Sequence, residues 1–332
     1  MEDHDPWEWF GKRTFRHNQF ESLSKLREAK ERLSTTVSVA IPARNEAATI
    51  GRIVRVLRKA LLDRARLIDE IVVMDGGSSD ETAAIARAEG AAVCAEDEVL
   101  PETGPAAGKG EGLWKSLYVC RGDIICWVDA DIRNIHPRFV YGLIGPLLSD
   151  PGIGYVKAFY ERPIRERNVL QPTGGGRVTE LLARPVLNIF WPSLAGFVQP
   201  LSGEYAGRRE VLEQVPFSSG YGVELGLLID IATRFGLDSI AQVDLECRIH
   251  RNQDTQALSR MSFGILQAAL ARLADEGRVG PESYSTTILY QFTKQLQEYH
   301  MQPHQIVTLE RPPITTVDGY QRRREAVLAG RH

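Results

Sequence analysis

The chain has 332 residues, of which 43% are hydrophobic and 25% charged, and its formal net charge is −3. These values are typical of a globular protein with a substantial core, and they exclude the strongly basic surface of a nucleic-acid-binding protein. No apolar run approaches the ~20 residues that span a bilayer, and the first residues lack the basic and apolar regions of a signal peptide. The four cysteines form no CxxC pair, which indicates reduced thiols and a cytoplasmic protein.

The first 35 residues are polar and charged, and they predict one helix near Glu21–Arg32. The pattern then changes. Thr36–Ile41 alternates and then becomes apolar, as a strand does, and Pro42 is expected to end that strand. Asn45 and Glu46 open a helical pattern directly afterwards.

Further strands and helices alternate after this first pair. The predicted strands are 68–74, 91–94 and 123–128, and the predicted helices are 81–88 and 111–119. This alternation is typical of an α/β fold in which helices cover a parallel sheet. Ligands bind such sheets at the carboxyl ends of the strands. Three polar segments, 42–46, 75–80 and 129–131, fall at those ends, so we predict that they line one crevice.

Asp129-Ala130-Asp131 is the most informative of these segments. It follows the apolar run 124–128, so its two carboxylates point off the end of a strand in the same direction. Such a pair binds a hard divalent cation and leaves coordination positions for phosphate oxygens. The Asp-x-Asp spacing alone is weak evidence, because Asp3-His4-Asp5 repeats it in a polar stretch.

A glycine-rich loop in the second half predicts an anion site. Gly174-Gly175-Gly176 lets the backbone approach a ligand, and the helix predicted at 181–190 offers free N–H groups to an anion. Arg177 adds a planar fork suited to phosphate or carboxylate, and Thr179 adds a hydroxyl. The alternative is a flexible linker with an incidental arginine.

Three further side chains are candidates that also have simple structural explanations. Lys109, between two glycines, could reach a diphosphate or could be a solvated loop lysine. Glu224 opens an apolar helix, where it could bind sugar hydroxyls or only cap the helix. His250 follows a strand predicted at 241–247 and could complete a metal site, although a lone histidine is more often structural.

In combination these segments resemble the GT-A glycosyltransferases. Residues 42–46, 75–82 and 129–131 resemble the nucleotide-sugar half of those enzymes. The later segments are similar to glucosyl-3-phosphoglycerate synthases and their mannosyl counterparts: 174–180, 199–206, 220–230 and 249–252. The similarity runs from about residue 37 to residue 252, with the segments in the same order.

The resemblance implies a retaining glycosyltransferase with Mg²⁺ or Mn²⁺ as cofactor. Its α/β fold would be the Rossmann-like GT-A fold, with a mixed, mainly parallel sheet, helices on both faces and an acceptor-binding C-terminal part. It would move glucose from UDP-glucose to the 2-hydroxyl of 3-phospho-D-glycerate, and the same reaction with GDP-mannose is the alternative. We expect a homodimer with no nucleic-acid or membrane partner. Four regions are expected: a helical extension (1–35), a nucleotide-sugar half (36–135), an acceptor-binding half (136–300) and a tail (301–332).

The resemblance also implies roles for individual residues. The donor would contact Pro42, Ala43, Arg44, Glu46, Gly77, Lys109, Asp129 and Ala130. The metal would be held by Asp131, His250 and Asp129, and the acceptor by Gly176, Arg177, Thr179 and Asn252. Catalysis would depend on Glu224, Asp131 and Arg177. Two positions depart from the usual residues of the family, Arg44 in place of Leu and Ala130 in place of Ser, and Arg44 leaves the choice between UDP and GDP open.

Three other classes share part of the pattern. A lipid-directed or inverting GT-A transferase normally needs a membrane-facing apolar element, which this sequence lacks. A nucleotidyltransferase usually has a glycine- and arginine-rich loop after its first strand, where this chain has Pro-Ala-Arg-Asn-Glu. A non-enzymatic nucleotide-binding module would not need both the acid pair and the acceptor-like loop. No carboxylate is clearly placed as a nucleophile, which favours front-face attack with the leaving diphosphate taking the acceptor proton.

Overall fold

The computed structural model describes residues 5–106, 108–162, 164–166, 169–171, 176–249, 253–280, 286–296 and 298–329. Its strands are β1 (Thr14–Arg16), β2 (Val37–Ala43), β3 (Glu70–Asp75), β4 (Ala92–Ala95), β5 (Ile124–Trp127), β6 (Tyr155–Glu161), β7 (Ile164–Glu166), β8 (Val169–Gln171), β9 (Tyr205–Arg208), β10 (Phe217–Ser218), β11 (Ile240–Cys247), β12 (Ile288–Gln295), β13 (Glu298–Gln305) and β14 (Glu310–Arg311).

Eight of these strands form a central sheet in the order β1-β11-β6-β9-β5-β2-β3-β4. All of its neighbouring strands pair in parallel except β9, which is antiparallel to both β5 and β6. This arrangement confirms the predicted mixed, mainly parallel sheet. Because β9 runs the other way, the residues that precede β9 lie where the parallel strands end. We call this side of the sheet the carboxyl edge.

Helices cover both faces of the sheet. They are α1 (Pro6–Arg13), α2 (Leu23–Arg32), α3 (Ile50–Leu57), α4 (Thr82–Ala88), α5 (Lys109–Val119), α6 (Arg138–Ser149), α7 (Arg184–Phe190), α8 (Arg209–Leu212), α9 (Val223–Phe235), α10 (Thr255–Asp275) and α11 (Asp318–Ala329). Within the described ranges, no helix combines the length and apolar composition needed to cross a membrane.

Strand β5 shows how the two faces acquire separate cores. Its side chains alternate, so Ile125 and Trp127 pack into the core that contains α5 and α9, whereas Ile124 and Cys126 pack into the core that contains α3 and α6. All four strand residues are fully buried. This double burial explains why the segment reads as a continuous apolar run in the sequence.

Two predicted boundaries at the first strand are wrong. Pro42 lies inside β2, paired in register with Met74, rather than ending the strand. The carbonyl of Ala40 accepts a hydrogen bond from the N–H of Val128, so the backbone of Ala40 faces β5. The backbone of Pro42, two residues further on, faces the same side. Because β5 has already ended there, the missing N–H of the proline costs no hydrogen bond between strands. The next helix begins at Ile50, not at Asn45, because Asn45 has a φ of 58° and turns the chain first.

Both ends of the described chain pack onto the main body. Strand β1, which the sequence did not predict, pairs with β11 at one end of the sheet. Near the other terminus, the buried Arg311 guanidinium donates to both carboxylate oxygens of Glu111, at 2.8 and 2.9 Å, and Glu111 is fully buried. Since Glu111 is in the first turn of α5, this ion pair fixes the end of the helix that carries Lys109.

Candidate active site

The predicted polar segments come together at the carboxyl edge, where they line a cavity of about 460 Å³. We call it the first cavity. Seven of the eight predicted donor residues line it, namely Pro42, Ala43, Arg44, Glu46, Lys109, Asp129 and Ala130. The eighth, Gly77, is adjacent to Gly76, which is part of the lining. The lining also contains residues to which the sequence assigned no role, among them Glu96 and Tyr221.

A second cavity, of about 210 Å³, adjoins the first and shares four residues with it: Lys109, Asp129, Asp131 and Tyr221. Glu224 and three of the predicted acceptor residues, Gly176, Arg177 and Thr179, line this second cavity. The fourth predicted acceptor residue, Asn252, and the predicted metal ligand His250 lie outside the described residues. The acid pair therefore lies where the two cavities meet.

A single guanidinium group joins the two carboxylates of the acid pair. The Nη2 atom of Arg248 donates to Asp129 at 2.7 Å and to Asp131 at 2.8 Å. Arg248 directly follows β11 and is 5% exposed, so it reaches the acid pair through the interior of the carboxyl edge. The sequence did not predict this bridge, because the order of the strands was unknown.

Glu204 and Tyr160 hold Arg248 from the other side. The fully buried Glu204 carboxylate lies 3.2 Å from Arg248 Nε and accepts a short hydrogen bond from the Tyr160 hydroxyl. Arg248 Nη1 also donates to the Tyr160 oxygen, at 3.1 Å. Glu204 immediately precedes β9, so only the antiparallel direction of that strand brings it to this edge. The sequence could not have predicted this direction.

Lys109 links the acid pair to Glu224. Its Nζ lies 2.5 Å from Asp129 and 3.0 Å from Glu224, and it donates to the Gly203 carbonyl at 3.3 Å. A Cβ atom added at Gly203 would overlap the Asp129 carboxylate and lie 2.7 Å from Lys109 Nζ. Glycine is therefore required here by space. These contacts favour the buried, site-forming interpretation of Lys109 over the solvated one.

The pKa values of these groups show which of them are charged. Burial alone would raise the pKa of Asp129, but Lys109 and Arg248 hold it well below its usual range. Burial raises the pKa of Glu204, and the neighbouring Arg248 offsets only part of that increase. Although burial disfavours a charged guanidinium, Glu204 and the acid pair keep the pKa of Arg248 above its ordinary value. Asp129 and Arg248 are therefore ionised at neutral pH.

The acid pair fits a small divalent cation. Both oxygens of Asp129 are already paired with cationic side chains, whereas Asp131 is bonded to Arg248 through Oδ1 and its side chain is 29% exposed toward the cavities. Mg²⁺ is bound in proteins by one or two carboxylates together with substrate phosphates, so this donor set is suitable. No group of three His, Cys, Asp or Glu side chains suited to a metal occurs in the described residues, which exclude His250.

The predicted anion loop contributes three residues to the second cavity. Gly176 has a φ of 82°, and Arg177 is exposed and donates to the carbonyl of Gln253 at 2.8 Å. Thr179 is 2% exposed and belongs to the lining of this cavity. The first two glycines of the loop, Gly174 and Gly175, lie outside the described residues.

Comparison with known proteins gives consistent matches. The family model described as glycosyl transferase family 2 matches residues 38–203. A glucosyl-3-phosphoglycerate synthase from Petrotoga mobilis is 51% identical over 310 residues, which are 93% of this chain and 95% of the relative.

Two solved structures match over nearly the whole chain. A mannosyl-3-phosphoglycerate synthase from Rubrobacter xylanophilus is 40% identical, with a TM-score of 0.87 over 96% of this chain and 99% of that one. A glucosyl-3-phosphoglycerate synthase from Mycobacterium tuberculosis, in complex with Mn²⁺, UDP-glucose and phosphoglyceric acid, is 41% identical, with a TM-score of 0.78 over 92% of this chain and 98% of that one.

Proposed function

Because the chain belongs to glycosyl transferase family 2 and, within it, to the glucosyl- and mannosyl-3-phosphoglycerate synthases, we propose that it glucosylates 3-phospho-D-glycerate from UDP-glucose. The family resemblance predicted from the sequence is confirmed. The transfer goes to the 2-hydroxyl and retains the configuration of the anomeric carbon. The four cysteines are free thiols, which supports a reducing, cytoplasmic location.

The observation that carries this proposal is the contact between the two cavities at Lys109, Asp129 and Asp131. The first cavity is large enough for a nucleoside diphosphate, and its lining includes Lys109 and the acid pair, which suit the diphosphate and its cation. The second has Arg177 and a hydroxyl for a small phosphorylated acid. A donor and an acceptor bound on either side of the acid pair would be held in contact, which makes their reaction effectively unimolecular.

The residues of the acid pair have separate roles in this proposal. Asp131, whose carboxylate is the more open, would bind the cation with the help of Asp129 and of His250. A bound Mg²⁺ or Mn²⁺ would neutralise charge on the leaving diphosphate. Lys109 would add a second positive charge to the diphosphate, and its link to Glu224 would bring that carboxylate to the hydroxyl groups of the hexose.

Glu224 is proposed to orient the sugar rather than to attack it. One of its oxygens is neutralised by Lys109 Nζ at 3.0 Å, and the side chain is only 9% exposed. We therefore favour front-face transfer. The bond from the anomeric carbon to the diphosphate breaks, the bond to the acceptor oxygen forms on the same face, and the acceptor proton passes to the leaving diphosphate.

Mannosyl transfer from GDP-mannose is the second candidate. The mannosyl-3-phosphoglycerate synthase has the higher TM-score of the two structures compared, 0.87 against 0.78. Arg44, which departs from the usual leucine of the family, lies in the wall of the first cavity and does not by itself distinguish the two bases.

A matrix of donors and acceptors tests the proposed function. UDP-glucose, GDP-glucose and GDP-mannose are each incubated with 3-phosphoglycerate, or with glycerate as the acceptor without phosphate, with and without Mg²⁺. We expect the highest kcat/KM for UDP-glucose with 3-phosphoglycerate, and loss of turnover in chelator. A preference for GDP-mannose would favour the second candidate, and no transfer to 3-phosphoglycerate from any donor would contradict both.

Arg177→Ala tests the assignment of the second cavity to the acceptor. Loss of a charged hydrogen bond of ~1.5–3 kcal/mol should raise the KM for 3-phosphoglycerate roughly ten- to a hundred-fold and leave the affinity for the donor nearly unchanged. Arg177→Lys should recover only part of the loss, because an ammonium group lacks the planar fork. Arg234→Ala, at the exposed end of α9, is the matched control. Weaker donor binding with an unchanged acceptor KM would show that the loop serves the nucleotide.

We also propose that the chain forms a homodimer through the β12–β13 hairpin. Tyr290, Phe292, Tyr299 and Met301 are 51 to 72% exposed on this hairpin. Phe292 lies opposite Met301, and Lys294 lies opposite Tyr299. Because Tyr290, Phe292 and Lys294 are spaced two residues apart on β12, all four apolar side chains lie on the same face of the hairpin. The opposite face turns inward, since Gln291 is 7% exposed and accepts from Arg260 of α10. A second copy of the same hairpin would cover this apolar face by two-fold symmetry.

Phe292→Glu should shift the protein from dimer to monomer, because it places a charge in the proposed interface. Sedimentation velocity at several concentrations measures the change. Trp7→Glu, which alters another exposed aromatic side chain outside the hairpin, should leave the dimer intact. A wild-type monomer at all concentrations, or a dimer that survives Phe292→Glu, would rule out this interface.

A further inference from the structure

One carboxyl group in the first cavity has no role in the transfer as described above. Glu96 directly follows β4 and lines the cavity together with Pro42, Gly76 and Ala106. Two glycines make room for it. A Cβ atom added at Gly76 would lie 3.5 Å from either Glu96 carboxylate oxygen, and one added at Gly112 of α5 would overlap Oε1. The carboxylate therefore fits between the end of β3 and the first turns of α5.

The Glu96 carboxylate is available to a ligand. In the described part of the chain, no side chain or backbone group forms a hydrogen bond or ion pair with it. Two of the charged groups that act on Glu96, Lys115 and Asp75, have other partners. Lys115 Nζ donates to the backbone carbonyl of Glu96 at 2.7 Å and pairs with Glu111 at 3.1 Å, while Asp75 accepts from the backbone N–H of Ser78.

The position of Glu96 corresponds to the base of a bound nucleotide. The acid pair follows β5, and β4 is three strands away in the order β5-β2-β3-β4. With strands ~4.8 Å apart, the two strand ends are separated by about 14 Å. A nucleotide with its diphosphate at the acid pair would extend its base across β2 and β3 toward this end of the cavity.

We propose that Glu96 recognises the base of the donor nucleotide, and that its carboxyl group sets the choice between uracil and guanine. This inference rests on the proposed function, since it deepens the donor specificity of the same site. Uracil presents an N–H group between two carbonyl oxygens, so it pairs with a group that both donates and accepts. Guanine presents two adjacent N–H donors, so it pairs with an ionised carboxylate that accepts twice.

The surroundings of Glu96 allow both forms. Burial, reinforced by the charge of Glu111 on α5 and of Asp75 at the end of β3, raises the pKa of Glu96 to about 7, while Lys115 and Arg44 act in the opposite direction. Below that pH the carboxyl group is neutral and matches uracil. Above it the group is ionised and matches guanine. Rising pH should therefore weaken UDP binding relative to GDP binding.

Calorimetry of UDP and GDP in the presence of Mg²⁺, at pH 6 and pH 8, tests this assignment without turnover. The readout is the ratio of the two dissociation constants, because the ionisation of the phosphates affects both nucleotides alike. For the wild-type chain we expect the Kd(UDP)/Kd(GDP) ratio to rise at least tenfold from pH 6 to pH 8. Glu96→Gln, whose amide both donates and accepts, should keep UDP binding, weaken GDP binding and remove the pH dependence of the ratio.

Two further variants complete the test. Glu96→Ala should weaken UDP binding about tenfold, as expected for two lost neutral hydrogen bonds, whereas Glu98→Gln in the same turn should change nothing. Gly112→Ala should displace the Glu96 carboxyl group and weaken UDP binding, but should have no further effect in combination with Glu96→Ala.

The outcomes separate this assignment from the proposed function. UDP and GDP bound equally well by wild type and Glu96→Ala, with a ratio that does not depend on pH, would overturn the role of Glu96 and leave the transferase proposal standing. A wild-type chain that bound neither nucleotide would overturn the proposed function itself, and the role of Glu96 with it.

Discussion

The carboxyl edge depends on one charged cluster, in which Arg248 Nη2 bridges Asp129 and Asp131. Two carboxylates that follow the same strand would repel each other if they faced a cavity without a counter-charge, and the buried guanidinium provides it. Glu204 and Tyr160 fix Arg248, and Lys109 connects Asp129 to Glu224. Removing one member of such a buried cluster leaves another charge unpaired, which costs about 3–5 kcal/mol. The cluster is therefore both the centre of the site and a requirement for its stability.

The antiparallel strand β9 explains why this cluster can form. In a fully parallel sheet, the residues before each strand lie at the opposite edge, far from the acid pair. Because β9 is inserted in reverse between β6 and β5, Gly203 and Glu204 enter the carboxyl edge from the start of a strand. Gly203 has no side chain, so Lys109 and Asp129 can meet beside it. The topology thus contributes an acceptor carbonyl, a buried carboxylate and the space for an ion pair.

Much of the site could be predicted from local pattern. The acid pair follows a predicted strand and Glu224 begins a predicted helix, and the rule that ligands bind at strand carboxyl ends places the acid pair in the crevice. Lys109 was a candidate only because glycines flank it. Arg248, Glu204 and Glu96 were missed for a different reason. Arg248 and Glu96 follow strands, so the same rule would have placed them at this edge, but the groups that each of them meets depend on which strands are neighbours. Glu204 precedes a strand, and its place depends on the direction in which β9 runs. The strand boundary at Pro42 was mispredicted for the same reason, since a proline is tolerated only where the adjacent strand has already ended.

The proposed arrangement of substrates depends on a divalent cation, held by Asp131, through which the acid pair joins the donor nucleotide to the acceptor. Titration of Mn²⁺, followed by electron paramagnetic resonance with and without UDP, measures this binding directly. The wild-type chain should bind Mn²⁺ more tightly when UDP is present, and Asp131→Asn should lose most of that binding. Asp97→Asn, an exposed acid after β4, is the control. If Asp131→Asn bound Mn²⁺ and UDP as the wild-type chain does, the acid pair would not be the metal site and the proposed arrangement of substrates would be wrong.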